Sequence, residues 1–511
     1  MKRRRFIKSL STLPLLPAVA RFVDPLAVTA QPQVRKLNEK TSPLKIGGTK
    51  QLFIDDQLIA ASTHVDLVMN PPVKTGEANL IAEHPWESFY AGGWNTIIED
   101  EGIYKMWYDA ASISDSLSAR KRDGRFVCYA TSNDGINWKK PLLGLVEFEA
   151  SKNNNILMRD TTGAVFLDPN NNGGERFKYV GWWDSEKRGI NQTEVWLFSS
   201  PDGLRWKPFG GRPIMAAKGQ YDTQNQIFWD DRVGKYVAYV RNNIRGEKNG
   251  ERYTIRQTHR AESDTLTQWP QHSLVFSPDN KDPFVSDHYN ICAIKYPYAP
   301  GVYFGFPSPY LHTNVANRND GPLDIQLITS RDGITWNRLD RRPYVRLGVK
   351  DSNDCGSIYM SVGMLRKGNE IWMYSTGYDF THGGYDLKTT RHKGVVSRLV
   401  QRLDGFVSAD AAYTGGELRT IPVRFTGNTL VLNVDTGAMG SLRVEILDQH
   451  GKPIPGYSEK DCDMVNGNYI NRLITWNGGS ELGALTQQPV QLRFVMRSTK
   501  LYSFQFLPRG S

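Results

Sequence analysis

Cysteine is scarce in this chain. Four occur among 511 residues, Cys128, Cys292, Cys355 and Cys462, all far apart in sequence. None has the Cys-x-x-Cys spacing of a zinc site and nothing resembles a disulfide framework, so buried, inert thiols are expected. Long apolar runs are missing too: past the first thirty residues no stretch approaches the ~20 needed to span a bilayer as a helix. No cluster of Lys and Arg stands out in the same region. The formal charge of +10 falls to about +5 without residues 1–30, where Lys2, Arg3, Arg4, Arg5, Lys8 and Arg21 face one acid, Asp24. That charge is too mild and too scattered for a nucleic-acid footprint.

What is present begins with an export signal. "RRRFIK" (Arg3 to Lys8) has the twin-arginine pattern, and the apolar, small-residue stretch "SLSTLPLLPAVA" follows it. Residues 1–30 therefore predict transport of a folded protein to the periplasm or beyond. Aromatic residues are plentiful at 11%. They serve as bulk in a core and as stacking surfaces in a cleft.

The chain repeats one short phrase. "SNDGINW", "SPDGLRW" and "SRDGITW" place Asp134, Asp202 and Asp332 before a glycine and a tryptophan, and "SDTLTQW" (Asp264) and "RLDGFVS" (Asp404) are weaker copies. Asp-Gly is turn chemistry. A second series of short aromatic strands, anchored on Tyr104, Phe177, Tyr236, Tyr303 and Trp372, runs in step with it. Two registered series of five, with room for about four strands per unit, predict an all-β chain. Residues 75–410 are expected to form a five-bladed β-propeller, with residues 31–74 holding a ring-closing strand. From 411 to 511 the pattern changes to strict alternation without the Asp-Gly turns, which predicts a C-terminal, jelly-roll-like β-sandwich.

One acid precedes each aromatic anchor by 14 to 18 residues: Glu87, Asp160, Asp222, Asp287 and Asp354. Carboxylates converging on one axis raise one another's pKa, a cost tolerated where a reaction needs an acid and an ionised partner. Asp222, Glu87, Asp160 and Asp354 are the catalytic candidates. Trp86 and Trp94 bracket Glu87 as an apolar, sugar-stacking wall, and Arg241, Asp287, His288 and His382 are candidate substrate ligands. Neither a metal nor a cofactor is expected, and the pattern leaves the oligomeric state open.

"QLFIDDQLI", "HPWE", "YATSNDGINWKKP", "LLGLVEFEASKNNNI" and "RLDGFVS" resemble secreted bacterial proteins of the glycoside hydrolase family 32 type, over most of residues 49–410. The architecture is also similar to family 43 propellers. The resemblance implies a glycosidase with three carboxylates from the first three blades, which by position are Glu87, Asp160 and Asp222. The Trp-Met-Asn-Asp-Pro, Arg-Asp-Pro and Glu-Cys motifs of true fructan hydrolases are missing, so a fructan substrate is not implied. Asp55 and Asp56, in "LFIDDQLI", are the alternative source of the first carboxylate. The expected function is hydrolysis of plant or algal oligosaccharides or polysaccharide ends. A non-catalytic glycan-binding propeller is the alternative, and a polysaccharide lyase using Tyr289 beside His288 is a third reading. The residual positive charge is compatible with an acidic sugar.

Overall fold

The computed structural model describes residues 35–36, 42–113, 124–171, 174–184, 193–217, 220–248, 251–283, 286–312, 319–385, 393–508 and 510. The expected export signal lies outside them. The described residues form an all-β chain of many small sheets, and none of its helices is long and apolar enough to cross a membrane.

Five sheets follow one another along the chain. Sheet I pairs Tyr90–Asp100, Ile103–Ala111, Arg125–Ser132 and Ile156–Arg159. Sheet II is built on Thr162–Leu167, Phe177–Asp184 and Thr193–Ser200. Sheet III contains Gln226–Asp230, Lys235–Lys248, Glu251–Ser263 and Ser273–Phe276. Sheet IV is Ala293–Lys295, Tyr303–Gly305 and Ile328–Ser330, preceded by a ribbon of Ser286–His288 against Pro309–Leu311. Sheet V holds Ser357–Met360, Glu370–Tyr378 and Val395–Arg402. Successive side chains of a strand point to opposite faces, and in sheet I both faces are covered. Met106 and Tyr108 pack with Trp372 and Tyr374 of sheet V, while Trp107 packs with Phe177 and Tyr179 of sheet II.

The repeated Asp-Gly turn is the clip between these sheets. Oδ1 of Asp134 accepts from the amides of Ile136 and Asn137, each at 2.8 Å, and Ser132 Oγ accepts from Gly135 N–H. The same bonds recur at Asp202 and Asp332. Each glycine has positive φ, between 71° and 78°, and its carbonyl faces an aromatic donor on another sheet. Trp107 Nε1 donates to Gly203 at 2.7 Å, Tyr239 to Gly333 at 2.6 Å and Tyr374 to Gly135 at 2.6 Å. A Cβ on Gly203 would sit 2.7 Å from the Trp107 ring. The glycine is thus required twice, by backbone conformation and by the approaching ring.

Polar groups stitch the inner strands together. Asn95 Nδ2 donates to Ser361 and Thr376 of the sheet V region, Gln224 Nε2 donates to the Asn95 carbonyl, and Gln226 exchanges two bonds with Ala293. Ile97 and Val362 share a backbone hydrogen bond of 2.8 Å.

Both ends of the chain build two further sheets. Leu44–Gly47 pairs with Val423–Phe425, and Ile59–Thr63 with Gly416–Thr420, in a seven-stranded sheet. Gln51–Leu52 pairs with Thr499–Leu507, and Val65–Met69 with Val407–Ala411, in a six-stranded one. Leu418, Leu492 and Phe494 of the first sheet share one core with Leu430, Leu432 and Phe504 of the second. Phe53 lies between them, 6.1 Å from Phe494 and 5.8 Å from Phe504. Residues 31–74, expected to hold a ring-closing strand, thus contribute to more than one sheet. Residues 44–69 join the C-terminal sheets, and only Val73–Lys74 and Leu80–Ile81 pair with sheet V, on Val395–Arg402. Asp55 is held there by Arg331 at 3.0 Å.

Candidate functional site

Trp94 of sheet I, Trp182 of sheet II, Tyr289 and Tyr310 of the sheet IV ribbon, and Tyr359 and Tyr378 of sheet V gather in one aromatic cluster. Sheet III contributes charge to it. Its Arg241 and Arg256 lie over the Tyr289 ring at 5.6 and 5.3 Å, and Arg125 of sheet I lies over Trp182 at 5.5 Å.

Asp222 reaches this cluster through a shaped loop. Tyr221 takes φ +66°, and Asn225 Nδ2 fixes it by donating to the Tyr221 carbonyl at 2.7 Å and the Thr223 carbonyl at 3.2 Å. Asn225 Oδ1 in turn accepts from the Arg241 amide. The Asp222 carboxylate meets the Arg241 guanidinium, with 34% of the acid side chain exposed against 4% of the arginine's. Burial pushes Arg241 down to about 10, and the neighbouring Arg256 adds to this.

Asp287 and Tyr289 face the cluster together because extended backbone sends alternate side chains the same way. Asp287 Oδ2 accepts from Arg256 at 2.7 Å and faces His312 at 3.2 Å. Burial opposes its ionisation, but His312 and Arg256 outweigh burial and hold the carboxyl below its usual range. Asp109 is the opposite case. It accepts from the Trp94 amide at 2.6 Å and the Tyr90 hydroxyl at 3.0 Å, yet burial prevails and raises its pKa. His382 lies 4.5 Å from the Tyr289 ring, and its Nδ1 is 2.8 Å from the Tyr359 hydroxyl. Burial, then Arg256 and Arg241, push its pKa down to about 3, so it is neutral near pH 7. Several buried polar atoms of this region have no protein partner among the described residues: Oγ1 of Thr162 and Thr223, Oε1 of Gln224, Oδ1 of Asp287 and the Tyr310 hydroxyl. No group of three or more metal-ligating side chains forms among the described residues.

Of the residues expected from sequence, Asp222, Arg241, Trp94, Asp287 and His382 come together here. The others lie elsewhere. Glu87 is fully buried beneath sheet I, where its carboxylate accepts from the Glu83 and His84 amides, Lys140 Nζ and the Tyr108 hydroxyl. Trp86 packs on Phe148 and donates to Asn155, inside the same core. Asp160 occupies an exposed left-handed turn between sheets I and II. Asp354 pairs with Lys74 at the edge of sheet V. Alternation turns His288 away from Tyr289 and onto Phe276, at 4.7 Å. Tyr289 is therefore partnered by His382.

Sequence reading missed Asp109, Arg125, Arg256, Tyr310 and Tyr378. A signal for two of them existed late in the second strands of sheets I and V, in "WYDA" (Asp109) and "STGYD" (Tyr378). Counting backwards from the aromatic anchors passes over these positions.

No family model matches the chain, and no curated protein sequence does. Solved structures similar to it include a deacetylase, phosphorylases and glycoside hydrolases, the last being the kind of protein its motifs resemble. A glycoside hydrolase family 43 arabinoxylan arabinofuranohydrolase from Bacillus subtilis is 14% identical over 86% of this chain and 99% of its own, with a TM-score of 0.37. A fructofuranosidase from Schwanniomyces occidentalis is 11% identical over 86% and 99%, with a TM-score of 0.40. A β-1,2-mannobiose phosphorylase from Listeria innocua is 13% identical over 66% and 97%, with a TM-score of 0.42.

Proposed function

We propose that this chain is an exported carbohydrate-active enzyme, a glycoside hydrolase working at the aromatic cluster of a five-bladed propeller. Two contacts support closure of the ring, Tyr374 on Gly135 and Val362 on Ile97, since both join the last sheet to the first. The shared core of the two sheets built from both chain ends supports a β-sandwich packed beside it. Export rests on the twin-arginine pattern at Arg3 to Lys8.

The observation that carries the reading is the presence at one aromatic cluster of a solvent-reachable carboxylate, Asp222, and of a buried one, Asp109, whose pKa burial raises. Hydrolysis of a glycoside needs an ionised carboxylate at the sugar and a raised-pKa acid for the leaving oxygen. Asp222, held by Arg241, takes the first role. Asp109, protonated, takes the second; the Tyr90 hydroxyl that faces it at 3.0 Å passes the proton on by turning its own O–H to the leaving oxygen as it accepts from Asp109. Trp94 and Tyr289, stacked at 6.3 Å with 17° between their planes and largely buried, form the apolar floor against which a sugar would rest. The bond between anomeric carbon and leaving oxygen breaks, that oxygen takes the proton, and water supplies the new hydroxyl.

The test is a broad oligosaccharide panel with product analysis. New reducing ends, lost in Asp222→Asn, support hydrolysis. One observation favours a non-catalytic glycan-binding module: Asp222 and Asp287 are each held by an arginine, as a binding site would neutralise them. Glycan binding with no turnover of any panel member would establish that second reading.

A further inference from the structure

The clustering of Arg241 and Arg256 on one tyrosine asks for an explanation that glycoside hydrolysis alone does not supply. Both guanidiniums are largely out of water, with side chains 4% and 13% exposed. Burying a guanidinium is costly unless its hydrogen bonds are met. The compensation is uneven: burial at Arg256 is outweighed by Asp287 and the neighbouring tyrosines, which raise its pKa, whereas burial prevails at Arg241. Arg241 faces Asp222, whose own carboxylate is one-third in solvent, and its Nε has no partner among the described residues. Arg256 shares Asp287 with His312 and places its second nitrogen on Asn319 at 2.6 Å. Arg125, close by on Trp182, likewise leaves Nη1 without a partner among the described residues. The depressed pKa of His382 reports the same imbalance: after burial, the two arginines dominate the charges acting on it.

We propose that the sugar bound at this cluster carries a carboxylate, as a uronic acid does, and that Arg241 and Arg256 receive it beside Tyr289. This rests on the reading of the cluster as a glycan site. A planar guanidinium fork matches a planar carboxylate through two parallel hydrogen bonds. A carboxylate brought to the edge of the cluster beside Tyr289 lies within reach of both arginines, since their guanidiniums lie 5.6 and 5.3 Å from that ring's centroid. The unpartnered acceptors nearby, Asp287 Oδ1 and Gln224 Oε1, suit the ring hydroxyls.

The experiment measures binding of uronic acid trisaccharides, their methyl esters and neutral trisaccharides to the full chain by calorimetry, alongside the activity panel. The acid is expected to bind at least ~10-fold tighter than its methyl ester, as loss of one charge-assisted pair implies. Arg256→Gln is expected to bring that ratio close to one, and Arg256→Lys, which keeps the charge, to retain part of it. Equal affinity for acid and ester overturns the proposal. Cleavage of neutral sugars without acid preference sinks this inference and leaves the hydrolase standing. Absence of any glycan binding or turnover sinks the site reading itself. An unsaturated uronate product supports the carboxylate and shows elimination in place of hydrolysis.

Discussion

Tyr374 of the last sheet donates its hydroxyl to the Gly135 carbonyl of the first at 2.6 Å, the same bond that Trp107 makes to Gly203 and Tyr239 to Gly333. Each pairs the middle of one sheet with the repeated turn of another. Gly203→Ala should therefore cost more than the ~1–2 kcal/mol of a left-handed alanine, because its Cβ would also press on Trp107. Gly144→Ala is the control, with similar φ and nothing within 4 Å of the added carbon. Urea unfolding of both variants checks this, and equal losses would remove the clip from the account of the repeat.

Glu87 and Lys140, 2.9 Å apart, form a buried pair under sheet I. Glu87→Gln should lower stability by roughly 3 kcal/mol, as removal of one member of a buried ion pair does. Turnover per folded molecule should hold steady at temperatures where the variant is folded. A selective loss of turnover, with stability intact, would return Glu87 to the catalytic set.

Asp222→Asn is expected to reduce turnover at least ~100-fold on a proven substrate, with the unfolding midpoint little changed. Asp109→Asn, which removes the proton donor, should give a comparable loss, and the basic limb of the pH–rate profile, which reports loss of that proton, should disappear. Near-normal activity in Asp222→Asn would make that residue structural and favour the binding module.

His382 couples stability to pH. Its pKa falls from 6.5 to about 3 in the folded chain, first through burial and then through Arg256 and Arg241. Between those values the unfolded chain binds the extra proton, so stability is complete above pH ~6.5 and declines as pH drops toward 3. At pH 5 the loss attributable to this group is about 2 kcal/mol. His382→Gln should flatten the difference between unfolding free energies at pH 7 and pH 5 by about that amount. His259, His272 and His288 are also depressed chiefly by burial, so the comparison is between wild-type and variant slopes. Identical slopes would place His382 in contact with water.

The repeated turn and the aromatic strands were readable because both are local. Asp134, Gly135 and Ser132 satisfy one another within four residues, and the strand that follows each turn needs only its own β-forming side chains. The all-β character and the five-fold register follow from chemistry of that range. Asp222 was legible for a related reason: it stands in a polar loop immediately before an inner strand, next to the Asn225 that shapes it.

Which of two acids in sheet I reaches the cluster was decided by the tertiary structure. Glu87 precedes the inner strand as Asp222 does, but a short turn folds it under the sheet, where Tyr108 and Lys140, 21 and 53 residues away, saturate it. Asp109 sits at the far end of the second strand, and the hairpin returns it beside Trp94. His288 and His382 divide in the same manner. Strand alternation puts His288 on the wrong face, and a histidine 93 residues from Tyr289 occupies the place beside it. Hydrogen bonds within a turn depend on neighbours in sequence. Burial and the field of distant charges exist only once separate sheets have packed, and they set the proton affinities of Asp109 and His382.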